Sequence, residues 1–176
     1  MVEYKIRGED LFVADTAIIK HPNRIELGHH VAIDHFVYFS TSGVIGDYVH
    51  IAPSVTIIGG IDSMLFMEDF SGVAANSTII CSSDDFTKGM MNPQIPIKYR
   101  NTKIGEVIIK RFACVGVNCV VMPSITLGEG SVIGAGSVVT KDTKPWGIYI
   151  GSPAKLVGMR DKKSVILGAK KLGYEF

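Results

Sequence analysis

Residues 109–139 read IKRFACVGVNCVVMPSITLGEGSVIGAGSVV. Every sixth residue is aliphatic: Ile109, Val115, Val121, Leu127, Ile133 and Val139. An α-helix needs apolar residues near 3.6 spacing, and a plain strand needs strict alternation. The stretch supplies neither, and glycine follows three of these anchors, at Gly116, Gly128 and Gly134. A short strand, a turn and another short strand fit the pattern. Positions one and five of each hexad then point inward, and the other side chains line the turns and outer faces.

The same period runs upstream through Leu27, Ile33, Phe39, Ile45, Ile51 and Ile57, so twelve of twelve anchor positions are hydrophobic. A shorter series, Met67, Val73 and Ile79, lies between the two blocks. Stacked hexads of this kind build a β-solenoid in which each coil buries its core only against its neighbours. The spacing predicts an all-β, parallel β-helix of about five coils, taking three hexads per triangular turn. Residues 1–26 match the period only in part and are expected to cap the first coil. The solenoid is expected over 27–150, with a four-residue excursion at 63–66 (SMLF) and a long external loop at 82–108. A loop of that length on a rigid scaffold points to function. Within a C-terminal segment, 151–176, the residues Val165, Ile166, Ala169 and Leu172 fall at helical spacing and predict one short amphipathic helix over Asp161–Leu172.

Composition narrows the function classes. The 176 residues suit one domain. Lysine and arginine (18) nearly balance aspartate and glutamate (17), and no charge run suggests nucleic acid as a partner. No stretch reaches the length of a membrane span. The first ten residues, MVEYKIRGED, carry charges where a secretory leader needs an apolar stretch, so a cytoplasmic location is expected. Cys81, Cys114 and Cys119 lack a CxxC spacing and read as packing residues in a reducing compartment.

Val115 to Val157, and above all GAGSVVTKD followed by G-x-PAK, resembles the C-terminal half of the bacterial hexapeptide-repeat acyltransferases. The resemblance covers roughly residues 25 to 160. Within that group, IGDYVHIAP at 45–53 and PWGIY before PAK look like sugar acetyltransferases of the galactoside O-acetyltransferase and surface-polysaccharide type. The resemblance implies a left-handed parallel β-helix. It also implies a homotrimer with acetyl-CoA in the clefts between subunits, and a sugar or nucleotide-linked sugar as acceptor. Lipopolysaccharide or capsule biosynthesis is the setting such enzymes suggest.

Acyl transfer from a thioester needs a base, an oxyanion donor and a groove for the coenzyme. His50 is the candidate base, because histidine titrates near neutrality and the relatives that carry this motif place the residue beside the acetyl group. It falls at the sixth position of its hexad, read as a corner. Many relatives carry a second histidine nine residues earlier, and Thr41 stands there in this chain. Asp84, in CSSDDF, occupies the place where galactoside acetyltransferases carry a histidine, so it is the second catalytic candidate. His50 acts alone, or with Asp84 or His35 from a neighbouring chain. For the coenzyme, the resemblance points to Gly116, Val117, Gly134 and Ala135 along the pantetheine arm. Thr140, Lys141, Pro153, Ala154, Lys155 and Arg160 would serve the phosphate and adenine end. For the acceptor, His35, Asn92, Lys98, Tyr99 and Arg100 are the available polar groups. No metal is expected.

Two other readings compete. A γ-type carbonic anhydrase on the same fold needs three histidines around zinc, yet all five histidines here precede residue 51. A non-catalytic scaffold would have no use for the TKD and PAK segments.

Overall fold

The computed structural model describes residues 3–175; residues 1 and 2 of the expected cap, and 176, lie outside them. Six coils stack in sequence order. The first comprises β1 (Ile6–Arg7), β2 (Phe12–Val13) and β3 (Ile18–Ile19). The second comprises β4 (Ile25–Leu27), β5 (Ala32–Ile33) and β6 (Tyr38–Phe39). In the third are β7 (Ser42–Ile45), β8 (His50–Ile51) and β9 (Thr56–Ile58). The fourth holds β10 (Met64–Met67), β11 (Gly72–Val73) and β12 (Thr78–Ile80). The chain then makes an antiparallel pair outside the solenoid, β13 (Ser82–Asp84) with β14 (Thr102–Ile104). It returns as β15 (Glu106–Ile109), β16 (Cys114–Val115) and β17 (Val120–Val121). The sixth coil is β18 (Thr126–Leu127), β19 (Val132–Ile133) and β20 (Val138–Val139). β21 (Gly147–Ile150) and β22 (Lys155–Met159) follow, then α1 (Lys162–Lys171).

Each coil gives one strand to each of three sheets, and neighbouring coils pair in parallel. The anchors meet in register down the inside: Ile33 pairs with Ile51, Ile51 with Val73, Val73 with Val115, and Val115 with Ile133. Positions one and five are buried as expected; Ile45, Val49, Ile51 and Val55 are 0–2% exposed. That column of apolar side chains is the core, and burying it drives the stacking.

Two expectations are corrected by the strand positions. Residues 64–67 are strand β10 of the first sheet, so the four inserted residues sit in the turn before it, where Gly60 takes φ +115°. Six coils replace about five because the segment expected to cap the solenoid contributes β1–β3 in parallel register with β4–β6. Its inward residues Leu11, Val13, Ala17 and Ile19 are only partly buried. Among the described residues one side of this coil has no neighbouring strand, so strict hexad hydrophobicity is not required there.

The fourth position of the hexad turns each corner. His30, Tyr48, Phe70 and Phe112 take φ between +55° and +61° there, a conformation in which ordinary residues are uncommon. At the corner between the first and second sheets these side chains stack into a ladder completed by Trp146. Ring centroids are 4.4 Å apart for His30 and Tyr48, 5.2 Å for Tyr48 and Phe70, and 5.2 Å for Phe70 and Phe112. Helix α1, capped by Asp161 through the Lys163 amide at 3.0 Å, lays Val165, Ile166 and Ala169 on Phe70, Phe112 and Trp146. The amphipathic spacing had predicted that helix.

Candidate active site

His50 opens strand β8, and its side chain is 58% exposed. It therefore stands on the outer face of the second sheet and not at a corner, as its sixth position had suggested; the turn falls at Asp47 and Tyr48. Ala32 pairs with it on one side and Gly72 on the other. Its Nε2 lies 2.8 Å from Oδ2 of Asp34, one coil earlier. The Asp34 carboxylate is the more enclosed partner, at 24% exposure. Asp34 was not among the residues singled out in the sequence. Its signal is the coil length: neighbours across an 18-residue turn stand near i−18, and i−16 is the diagonal place.

Gly72 is the open flank of His50. A Cβ built there meets only the His50 carbonyl oxygen, at 3.4 Å, and its φ is not left-handed. Neither stacking nor backbone conformation requires glycine at this place, and a strand glycine of that kind marks a close approach by another group.

From the second coil on, the residue after each coil's second-sheet anchor forms a corner column: Asp34, Ala52, Ala74, Gly116 and Gly134. The expected coenzyme residues Gly116, Val117, Gly134 and Ala135 thus share a corner with Asp34, three and four coils further on. Packing gives these two glycines a reason of their own. A Cβ on Gly116 would lie 2.7 Å from the Ile133 carbonyl oxygen, and one on Gly134 2.7 Å from Cγ1 of Ile150. The next coil crowds Gly116 and strand β21 crowds Gly134, whatever passes outside.

At the end of the solenoid, the Ala154 amide donates to the Val138 carbonyl at 2.8 Å and the Val138 amide to the Gly151 carbonyl at 3.0 Å. Pro153, Ala154 and Lys155 are thereby drawn onto strand β20, beside the exposed Thr140 and Lys141 that follow it. Arg160, expected with them, lies at the ladder corner instead. Its Nη1 donates to the carbonyls of Phe112 at 2.7 Å and Gly130 at 3.3 Å, tying the C-terminal segment to two corners.

The remaining expected residues divide. The ring of His35 faces the first coil, its Nδ1 2.9 Å from Thr16 Oγ1. Asp84 ends strand β13 at the root of the long loop and not at a hexad corner. Arg100 donates to its Oδ1 through Nη2 at 2.7 Å and Nε at 3.1 Å, and Thr102 through Oγ1 at 3.0 Å. The Arg100 hydrogen bonds hold the Asp84 carboxyl below the usual carboxylate range, which makes it a poorer proton acceptor than an ordinary aspartate. Thus Asp84 and Arg100, read separately as base and phosphate contact, form one pair. Asn92 accepts from the Gln94 amide at 2.9 Å within a turn, and the Lys98 ammonium lies 4.8 Å from the Tyr99 ring centroid. Thr41, in the place of the second histidine, is buried in the core with its hydroxyl on Ser63 at 2.7 Å. Among the described residues no three His, Cys, Asp or Glu side chains gather as a ligand set, which the zinc reading requires. Among the described residues no helix is long and apolar enough to cross a membrane.

Comparison with known proteins bears on the same coils. Residues 111–141 match the hexapeptide repeat of succinyl-transferase. The dTDP-4-amino-4,6-dideoxy-D-glucose acyltransferase of Escherichia coli is 34% identical over 164 residues, spanning 91% of this chain and 84% of that one. AntD, an N-acyltransferase from Bacillus cereus solved with dTDP and 3-hydroxybutyryl-CoA, superposes with a TM-score of 0.92 at 32% identity, covering 97% of this chain and 90% of that one. A maltose O-acetyltransferase from Clostridium difficile shares the fold alone, with a TM-score of 0.61 at 20% identity over 90% of this chain and 71% of its own. The chain belongs to the hexapeptide-repeat acyltransferases, built on a left-handed parallel β-helix.

Proposed function

We propose that the enzyme transfers an acyl group from acyl-CoA to the amino group of a dTDP-linked amino sugar. The observation that carries this reading is the place of His50. It stands outward on the second sheet, open on the Gly72 side, on the face that leads to the corner column of Gly116 and Gly134. Support for the substrate class comes from relatives above 30% identity, one named for a dTDP-amino sugar and one solved with dTDP and an acyl-CoA. In this reading His50 takes the proton from the attacking amine, a role that contributes about 10²–10⁴-fold.

The pantetheine arm runs along Gly116, Val117, Gly134 and Ala135. Thr140, Lys141, Pro153, Ala154 and Lys155 meet the phosphate and adenine end, while Arg160 serves the fold. Loop 82–108 walls the acceptor, with Asn92, Lys98 and Tyr99 as its polar contacts, and His35 borders the same corner. Arg100 and Asp84 hold the loop's root. The enzyme works as a cytoplasmic homotrimer with the coenzyme between adjacent solenoids, and its product enters surface polysaccharide.

A thiol-release assay tests the reading. Acetyl-CoA and 3-hydroxybutyryl-CoA are each offered with dTDP-4-amino-4,6-dideoxyglucose, with a galactoside and with maltose. Release that depends on the dTDP-amino sugar is expected. Release with the galactoside or maltose alone would make the enzyme an O-acyltransferase. Failure to bind acyl-CoA in calorimetry would favour the scaffold.

A further inference from the structure

We infer that Asp34 is a positioning residue that selects the reactive nitrogen of His50; the inference rests on His50 being the base. The Nε2 to Oδ2 distance of 2.8 Å is a hydrogen bond, and an ionised carboxylate only accepts. Nε2 therefore carries the proton. In the neutral imidazole that leaves the lone pair on Nδ1, so Nδ1 is the basic atom.

The surroundings fit this division of labour. Asp34 is held in the ladder by its own amide, which donates to the Ile51 carbonyl at 2.9 Å. Its carboxylate thus reaches His50 from a fixed backbone position one coil away. The flanking outward residues in the column are Ala32 and Gly72, neither of which offers a polar side chain to the ring. Thr16 engages the neighbouring His35 on the side of the first coil, so His35 does not compete for Asp34. The imidazole is 58% exposed, and the residue paired with it on the next coil, Gly72, carries no side chain to cover it.

The chemistry then runs with its atoms balanced. The acceptor nitrogen attacks the thioester carbonyl carbon and loses a proton to His50 Nδ1. The tetrahedral intermediate collapses, the C–S bond breaks, and the departing thiolate takes the proton from Nδ1. Asp34 keeps its hydrogen bond to Nε2–H throughout and stabilises the imidazolium that forms between the two steps. It exchanges no proton itself.

The test compares Asp34→Asn, His50→Ala and the double variant, together with ¹⁵N spectra of histidine-labelled enzyme. In the parent, the His50 signals should show a protonated Nε2 and an unprotonated Nδ1, and Asp34→Asn should mix the two tautomers. Asp34→Asn should lower kcat at least tenfold, with the KM for acyl-CoA and the calorimetric Kd for CoA within twofold. Adding it to His50→Ala should change turnover less than twofold. The proposal is overturned if Asp34→Asn retains more than half the parental kcat, if its effect multiplies with that of His50→Ala, or if it abolishes CoA binding. Should His50→Ala itself stay within threefold of the parent, the base reading fails, and this inference with it. An inactive His50→Ala beside a fully active Asp34→Asn removes only the role of Asp34.

Discussion

Arg100 grips Asp84 across the base of the long loop, its Nη2 2.7 Å and its Nε 3.1 Å from the same carboxylate oxygen. Fifteen residues of chain project between them, including Phe86, Met90, Met91 and Ile97 with large exposed apolar side chains. The pair thus sets where the loop leaves the solenoid. Arg100→Ala is expected to raise the rate of limited proteolysis within 86–99 by on the order of tenfold, since local opening is then weakly opposed. Thiol release should fall by less than it does in His50→Ala. Unchanged cleavage would show that the pair does not order the loop.

Acid should undo the same root. Hydrogen bonds from Arg100 lower the Asp84 carboxyl, and those from the Thr87 amide and hydroxyl lower that of Asp85. A value depressed by folding contributes stability above the unfolded value, near 3.9 for aspartate, and loses it as the pH falls below that. Loop resonances of residues 86–99 should hold their positions from pH 7 to 5 and collapse toward random-coil values only below about pH 4. Collapse near pH 6 would place the ordering elsewhere.

His50→Ala is expected to keep CoA binding and the fold while lowering turnover by about two decades or more, the lower end of what a general base supplies. The side chain is exposed and its main chain remains in β8, so little stability rides on the ring. Turnover within threefold of the parent would end the base assignment.

Two glycines on the second sheet and its corner should respond in opposite ways. Gly116→Ala forces a Cβ to 2.7 Å from the Ile133 oxygen. Overpacking of this kind costs about 2 kcal/mol, which is a fall in Tm of about 5 °C for a protein of this size. Gly72→Ala meets only ordinary contact at 3.4 Å, so its Tm should hold or rise slightly. Its methyl instead occupies the flank of His50, and kcat/KM should drop at least tenfold, more for 3-hydroxybutyryl-CoA than for acetyl-CoA. Equal loss of Tm in both variants would make Gly72 a packing residue.

The fold was legible because every coil repeats one demand, an apolar side chain at positions one and five, and any departure would open a hole in the core. The first coil was less so, since its outer side tolerates an exposed Arg7 at position one, in register with Leu27. His50 was found through its motif, with its outward direction but not its place on a strand. Asp34 was not legible because its link to His50 is diagonal between coils, whereas the motif points along the chain to Thr41. Asp84, counted from Ile79, already fell at the start of the loop expected over 82–108, but its bond to Arg100 crosses the loop and leaves no spacing to read. Arg160 was misplaced for a different reason: β22 folds back against β21 and carries it to the ladder corner.

The tail beyond α1 should detach at high pH. The Tyr174 hydroxyl donates to Asp47 Oδ2 at 2.9 Å, and its ring meets Tyr48 and Phe70 edge-on. Burial first, and then the Asp47 carboxylate, push its phenol up to about 12. A proton is lost more reluctantly from the docked state than from the free tail, whose tyrosine titrates near 10. Docking is therefore complete below about pH 10 and is lost as the pH rises through 12. Trp146 reports on it, being the single tryptophan, 7% exposed and packed with Phe112 and Ala169 under the helix. Its emission maximum should move to the red between pH 10 and 12 in the parent. In Tyr174→Phe the rings still pack but no proton is left to lose, so the shift across that window should vanish, along with the latest phase of tyrosinate absorbance at 295 nm. A variant that keeps the shift would locate the alkaline transition in the solenoid and not in the Tyr174 contact with Asp47.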